Sequence, residues 1–217
     1  MINTRSQDIA DLKGVEFHIV GCGAIGSSVA MQLVRLGADN FYLYDFDKVE
    51  IPNIGVSQYN EQDVGLPKVG ALINHMKRVN VMIRVEGIIS KFNSYEGGKE
   101  GILVLGLDSM KARRDIVEML VKCPYKPKIV IDGRMGAEHY QQYTFVKPKL
   151  KEYEKTWYSD DEGSSEPCNM KATSYCSNMA GSFIANTVRK VLTKQPYEAA
   201  LSFNFPTTLI EKNTLYK

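Results

Sequence analysis

The stretch HIVGCGAIGSSVAMQLVRLGADNFYLYDFDKVEIPN, residues 18 to 53, decides the fold of this chain. It opens with an apolar run that predicts a buried strand, passes through glycines in GxGxxG spacing, and continues with helical periodicity. Glycines let a backbone approach a phosphate closely, and a helix N-terminus offers oriented N–H donors. A tight turn with a purely structural role is the alternative. The predicted phosphate turn consists of Gly21, Gly23, Ala24, Ile25 and Gly26.

The residue that follows the second predicted strand supports a nucleotide site. Asp45 lies close to the spacing of about 20 residues at which an acidic side chain accepts hydrogen bonds from ribose hydroxyls. This pattern fits NAD and ATP equally well, so the glycines and Asp45 together predict a nucleotide without choosing between the two.

The surrounding pattern predicts the architecture. Short apolar runs alternate with helical segments through the first half of the chain, which is typical of an α/β fold with a Rossmann-like, doubly wound, mostly parallel sheet. The second half contains alternating strands, so we expect antiparallel strands to extend the sheet at its C-terminal side. We expect a single domain over residues 1–217, with a mobile crossover loop at about residues 151–172.

Composition excludes several function classes. The formal net charge is only +2 and no basic run is present, so nothing indicates nucleic-acid binding. No apolar run reaches the roughly 18 to 20 residues of a membrane span, and we expect a cytoplasmic protein with no membrane contact. The four cysteines show no CxxC spacing, so neither a disulfide framework nor a zinc site is predicted.

A set of polar residues downstream of the glycines distinguishes the two nucleotides. A dehydrogenase has no need of a second acid at Asp47, of Asn53, or of Lys68 beyond a DVGLPK turn. Together with the later stretch VLGLDSMKARRDIVEML, this string resembles the ThiF/MoeB/HesA family of adenylating enzymes, which are related to the nucleotide-binding domain of ubiquitin-activating enzymes. The resemblance covers roughly residues 14 to 195.

The resemblance implies a site for ATP and Mg²⁺. By the match, Asp108 is the magnesium-binding carboxylate and Arg113 the arginine that follows it, while Lys68 and Asn53 donate to the phosphates. Taken singly, Lys68 could be a solvated lysine, Asp108 a helix cap and Asn53 a turn residue. One shared explanation at the family's spacing is preferred to three independent ones.

The sequence departs from the family at one position of the site. The family segment after the asparagine usually contains an arginine that reaches toward the phosphates, and here Val56 stands in its place. Arg5 and Arg35 are candidates to replace it, but Arg134 is the first choice because it follows a strand's carboxyl end, where ligands bind in such sheets. The resemblance also implies a homodimer, with Arg5 as the candidate to act across its interface.

Two cysteines are candidates for a second chemical step. Some family members carry a cysteine that accepts the activated acyl group, or sulfur, after the crossover loop. Cys176 fits this position at the start of a predicted helix, whose N-terminus favours the thiolate, although Cys176 could equally be a small core residue. Cys168, within the loop, is the alternative. Cys22 and Cys123 are expected to be packing residues.

The resulting hypothesis is an adenylyltransferase. It would activate the C-terminal carboxylate of a small ubiquitin-like or sulfur-carrier protein with a flexible tail, with possible transfer to a cysteine. Two alternatives stay open at this point: an NAD(P)-dependent oxidoreductase, which the glycines and Asp45 support, and a catalytically weakened ATP-binding scaffold or sensor, which Val56 supports.

Overall fold

One eight-stranded mixed sheet organises the part of the chain that the structure describes. The computed structural model describes residues 9–160 and 172–213. The strand order is β3-β2-β1-β4-β5-β6-β7-β8, with parallel pairing from β3 to β5 and antiparallel pairing from β5 to β8. The strands are β1 (Glu16–Val20), β2 (Asn40–Tyr44), β3 (Arg84–Ile88), β4 (Ile102–Leu105), β5 (Ile129–Gly136), β6 (His139–Val146), β7 (Ala200–Asn204) and β8 (Leu209–Asn213).

Six α-helices lie in the described ranges. They are α1 (Ala24–Arg35), α2 (Ile51–Ile54), α3 (Lys68–Val79), α4 (Met110–Lys122), α5 (Leu150–Glu154) and α6 (Ser174–Leu192). The predicted α/β fold with a Rossmann-like parallel half and an antiparallel extension is therefore confirmed. The span predicted as a crossover loop begins within helix α5, and the part at 161–171 lies outside the described residues.

Each face of the sheet has its own apolar layer. Helices α1, α3 and α6 pack on one face, where Leu33, Leu72 and Ile184 contribute to the larger core cluster. Helices α4 and α5 cover the other face together with an irregular segment that contributes Phe92. The β4 sequence ILVL is buried at every position because both of its faces are covered, as expected of a central parallel strand.

The strand order reverses direction between β1 and β4. From β1 the chain moves outward to β2 and β3, and then returns to place β4 on the other side of β1. At such a switch point the connections leave in opposite directions, which opens a crevice beyond the carboxyl ends of the strands. The glycine turn after β1, Asp45 after β2 and Asp108 after β4 all follow strands that end at this crevice.

No helix within the described ranges has the length and apolar character of a membrane span.

Candidate nucleotide site

The glycine turn is shaped by direct contact between backbones. Gly21 has a φ of +87°, and a Cβ there would lie 2.8 Å from the carbonyl oxygen of Gly106. A Cβ on Gly26 would lie 1.8 Å from the carbonyl oxygen of Gly21. By contrast, a Cβ on Gly23 would meet nothing within 4 Å. Two glycines are thus needed for packing, and the third faces open space at the N-terminus of α1, where Ala24 and Ile25 begin the helix.

Asp45 fixes the shape of this turn. One carboxylate oxygen accepts the Cys22 backbone N–H at 2.7 Å, and the other accepts the Asp47 backbone N–H at 2.8 Å. Burial raises the pKa of Asp45, while these two bonds and the charge of Lys68 oppose that rise. Each carboxylate oxygen can accept more than one hydrogen bond, so Asp45 keeps capacity for ribose hydroxyls.

Lys68 lies among three carboxylates. Its Nζ is 2.9 Å from Asp47 Oδ2, and its side chain is only 12% exposed. Burial lowers the pKa of Lys68, but the bond to Asp47 and the charges of Asp45, Asp47 and Asp108 outweigh burial and raise the pKa above its usual value. The structure therefore brings these four residues into one electrostatic unit at the end of the sheet.

Asp108 lies exposed between β4 and α4. The cap of α4 is the next residue, Ser109, whose side chain accepts the Ala112 N–H at 3.2 Å, so Asp108 is not needed for capping. Across the described ranges no cluster of three or more His, Cys, Asp or Glu side chains has a metal-binding arrangement. Mg²⁺ usually binds through one or two carboxylates together with substrate phosphates, and Asp108 fits that kind of site.

Asn53 and Val56 lie in and after the short helix α2. Asn53 Oδ1 accepts the Glu50 N–H at 2.9 Å, which directs the amide nitrogen to other acceptors. The carbonyl of Val56 accepts the Ser177 hydroxyl at 2.7 Å, so this part of the chain is fixed to helix α6. The aliphatic side chain of Val56 supplies no cation where the family usually has one.

Neither of the described arginines that might replace the missing one is engaged with the glycine turn. Arg35 is the last residue of α1, at the opposite end of a 12-residue helix from the turn. Arg134 is 3% exposed, and its hydrogen bonds within the described ranges go to Asp132 and Thr156. Because this guanidinium is buried and all three of its nitrogens bond within the protein, the structure argues against the replacement hypothesis. Arg5 lies outside the described residues.

Arg113 is buried and donates hydrogen bonds to backbone carbonyl oxygens near Asp108. It donates to the carbonyl oxygens of Leu105, at 3.3 Å, and Leu107, and to the carboxylate of Asp132. Burial would raise the pKa of Asp132, but the charges of Arg113 and Arg134 prevail and hold the pKa below its usual value. Arg113 therefore stabilises the segment that presents Asp108.

Cys176 is a core residue in this structure. It lies in the first turn of α6 as predicted, but it is fully buried, and burial followed by the charge of Glu138 raises the pKa of its thiol to about 12. The expectation that the helix N-terminus favours the thiolate is therefore wrong for this conformation. Cys22 is also buried, Cys123 is partly buried, and Cys168 lies outside the described residues.

The comparison with protein families decides the relationship. The model of the family described as "ThiF family" matches residues 2–215. The chain belongs to the ThiF family.

Curated relatives of this ThiF-family chain are named ubiquitin-like modifier-activating enzyme 5. The protein from Oryza sativa subsp. japonica is 25% identical over 123 residues, which cover 56% of this chain and 29% of the relative. The protein from Caenorhabditis elegans is 39% identical over 75 residues, which cover 35% of this chain and 17% of the relative. The matched region is thus less than a third of each relative.

Solved structures share the fold of this ThiF-family chain. The microcin C7 biosynthetic enzyme MccB in complex with N-formylated MccA superimposes with a TM-score of 0.76 at 20% identity, covering 96% of this chain and 66% of that one. PaaA superimposes with a TM-score of 0.73 at 18% identity, covering 95% and 65%. At these identities the likeness concerns the fold.

Sequence reasoning missed a residue that joins the glycine turn to the start of α3. The Tyr59 hydroxyl donates to the carbonyl of Cys22 at 2.6 Å and lies 3.2 Å from the carbonyl oxygen of Lys68. Its segment is held to α3 by the contact of Asp63 with His75 at 2.6 Å. A tyrosine between polar residues carries no sequence signal for such a role, because both partners are backbone carbonyls, 37 and 9 residues away along the chain.

We expect two glycine substitutions to affect different properties, one the stability of the fold and the other the binding of ATP. Gly26→Ala should lower the free energy of unfolding by about 3 kcal/mol, because the new methyl group collides with backbone that cannot move away. Gly23→Ala should change stability by less than about 1 kcal/mol. It should nevertheless weaken ATP binding by about tenfold or more, because the methyl group occupies the space at the helix N-terminus. Urea unfolding and calorimetry measure the two effects, and equal stability loss in both variants would contradict this assignment.

Tyr59→Phe should lower the free energy of unfolding by about 1–3 kcal/mol, because it leaves the buried carbonyl of Cys22 without its donor. It should also weaken ATP binding, because the turn and the start of α3 lose their link. The exposed Tyr125, substituted in the same way, is the control. An unchanged free energy of unfolding and unchanged ATP binding in Tyr59→Phe would contradict a role of this hydroxyl in joining the glycine turn to α3.

Proposed function

We propose that this chain binds ATP with Mg²⁺ beyond the carboxyl ends of β1, β2 and β4, and adenylates the C-terminal carboxylate of a peptide or small protein. The observation that carries the proposal is the placement of Lys68 among Asp45, Asp47 and Asp108 at the glycine turn. A nicotinamide site needs a ribose acceptor such as Asp45, but it has no use for a lysine and an exposed carboxylate directed at phosphates.

The chemistry assigns each residue a separate task. A substrate carboxylate oxygen attacks the α-phosphorus of ATP, a bond forms between that oxygen and phosphorus, and the bond from phosphorus to the pyrophosphate oxygen breaks. Negative charge develops on the leaving phosphate oxygens, so fixed donors and cations provide most of the stabilisation. When bound, Mg²⁺ would neutralise phosphate charge as a Lewis acid.

Lys68 can serve the phosphates without leaving Asp47. An ammonium group has three N–H donors, and the bond to Asp47 uses one of them. Asp45 holds the turn and accepts from the ribose, Asn53 donates its amide to a phosphate oxygen, and Asp108 binds the metal. Arg113 acts through the backbone before Asp108, consistent with its burial.

The substrate we favour is a flexible C-terminal tail. The relatives named as ubiquitin-like modifier-activating enzymes support a small ubiquitin-like or sulfur-carrier protein, and the complex of MccB with MccA supports a peptide. Both provide a C-terminal carboxylate on an extended chain, which is the chemical requirement of the site. A homodimer and a cytoplasmic location, expected from the sequence, stay predictions.

A catalytically weakened ATP-binding scaffold is the second candidate, because Val56 removes one cationic donor. Loss of one such donor commonly costs about 3 kcal/mol in transition-state stabilisation. Pyrophosphate exchange distinguishes the candidates, since a scaffold binds ATP without exchanging pyrophosphate in the presence of any carrier.

Lys68→Ala should lower the rate of pyrophosphate exchange by about 10²–10³-fold while weakening ATP binding less than tenfold, because Lys68 acts mainly on charge that develops in the transition state. Asp108→Asn should remove the strengthening of ATP binding by Mg²⁺ that we expect in the wild type. The exposed Lys48, replaced by alanine, is the matched control. Binding of NAD⁺ in place of ATP would contradict the proposal and support the oxidoreductase.

Transfer to a cysteine is a separate, later step that we place away from Cys176. We expect Cys176→Ala to leave adenylation and any carrier thioester unchanged within about twofold, because a buried thiol with a raised pKa is a poor nucleophile. Cys168→Ala tests the remaining candidate. The step is measured on gels as a carrier adduct that disappears when reductant is added. Loss of this adduct in Cys176→Ala with intact pyrophosphate exchange would show that Cys176 is the acceptor.

A further inference from the structure

A buried carboxylate on β5 joins two arginines. Asp132 is fully buried, and its two oxygens accept from different elements. Arg113 of α4 donates to Oδ1, while Arg134 Nε donates to Oδ2 at 2.9 Å and the Tyr153 hydroxyl donates to the same oxygen at 3.0 Å. All four side chains are at most 3% exposed. Because removing one partner from a buried ion network leaves a charge uncompensated, this arrangement is strongly held.

One end of the network reaches the candidate metal ligand. Arg113 donates to the carbonyl oxygens of Leu105 and Leu107, and Leu107 immediately precedes Asp108. Arg113 Nε is buried with no hydrogen-bond partner among the described residues, so the remaining nitrogens carry all of its bonding. The position of this guanidinium therefore fixes the backbone from which Asp108 projects.

The other end reaches residues 150–160, which we call the crossover segment. Arg134 donates to the carbonyl oxygen of Thr156 at 2.5 Å and contacts its hydroxyl at 3.2 Å. The same segment contacts the first turn of α4, where Trp157 Nε1 donates to the Met110 carbonyl at 2.9 Å and Asp160 Oδ1 accepts the Met110 N–H at 2.6 Å. The crossover segment thus lies against both the network and the helix that begins just after Asp108.

We infer that Asp132 and Arg134 are positioning residues that couple the placement of the crossover segment to the placement of Asp108. The role of this coupling in ATP binding rests on the proposed function, in which Asp108 faces the ATP phosphates. A shift of the crossover segment either breaks the bonds between Arg134 and Asp132 or draws Asp132 away from Arg113, and both changes are costly in the core, so the two placements stabilise each other. Coupling of this kind is reciprocal, so ligands at Asp108 also stabilise the crossover segment.

Hydrogen exchange in the protein without nucleotide tests the coupling directly. In Arg134→Gln we expect amide exchange to accelerate severalfold both in peptides that cover residues 153–160 and in peptides that cover residues 105–108, a window that excludes Met110 because its N–H bonds directly to Asp160. The matched control is Lys155→Gln, which breaks only the exposed pair with Glu152 on the same segment and should leave both peptides unchanged. Faster exchange at 153–160 alone, or at neither place in a folded variant, would overturn the inference.

A milder variant keeps the inference testable if Arg134→Gln does not fold. Tyr153→Phe removes one hydrogen bond to Asp132 and keeps the ring in the core, so it should show the same two-site acceleration to a smaller extent. Trp157 is the one tryptophan of the chain, so its acrylamide quenching reports on the crossover segment in every variant. We expect acrylamide to quench Trp157 more strongly in Arg134→Gln and in Tyr153→Phe than in Lys155→Gln. Equal quenching in the three variants would overturn the inference.

Calorimetry extends the test to the site. Arg134→Gln should weaken ATP binding about five- to tenfold in Mg²⁺, because Asp108 is displaced, and should weaken it less in EDTA, where no metal ion links Asp108 to the phosphates. Unchanged binding in Mg²⁺ despite faster exchange at 105–108 would overturn the link to Asp108. If wild-type ATP binding does not respond to Mg²⁺, the metal role in the proposed function fails, while the exchange result still decides the coupling.

Discussion

Backbone packs directly on backbone where Gly21, Gly26 and Gly106 meet, and the rest of the site depends on this contact. A Cβ on Gly106 would lie 3.1 Å from Gly26 N, and the other two positions leave still less room. The end of β1, the start of α1 and the end of β4 therefore approach more closely than side chains allow. This approach places the helix N-terminus and Asp108 at the same crevice, at the strand-order reversal where ligands bind in open α/β sheets.

The electrostatics of the crevice explain why a divalent cation belongs to the proposed reaction. Three carboxylates, Asp45, Asp47 and Asp108, act on the single ammonium group of Lys68. A polyphosphate approaching this arrangement meets net negative charge, which backbone N–H groups alone cannot offset. In the proposed reaction, Val56 in place of the arginine that the family usually has would increase the reliance on Lys68 and on a bound metal.

The two faces of the sheet contribute different parts of the crevice. The face covered by α1, α3 and α6 carries the glycine turn and Lys68 on helices that start at the crevice. The opposite face carries the buried network of Asp132 with its arginines, which supports Asp108 from behind. Arg134 shows the consequence of this division, because its position after a strand suggested a phosphate contact, whereas its guanidinium is used inside the protein.

The sequence by itself determined the alternation of strands and helices, the glycine turn and the residue types at the nucleotide crevice. These features are local, since periodicity and short spacings follow from one stretch of chain. Only the tertiary structure decided that Cys176 is buried, that Arg134 bonds to Asp132 and that Tyr59 links the turn to α3. Burial and long-range hydrogen bonds depend on which elements pack together, and that packing brings together residues whose separation along the chain carries no signal.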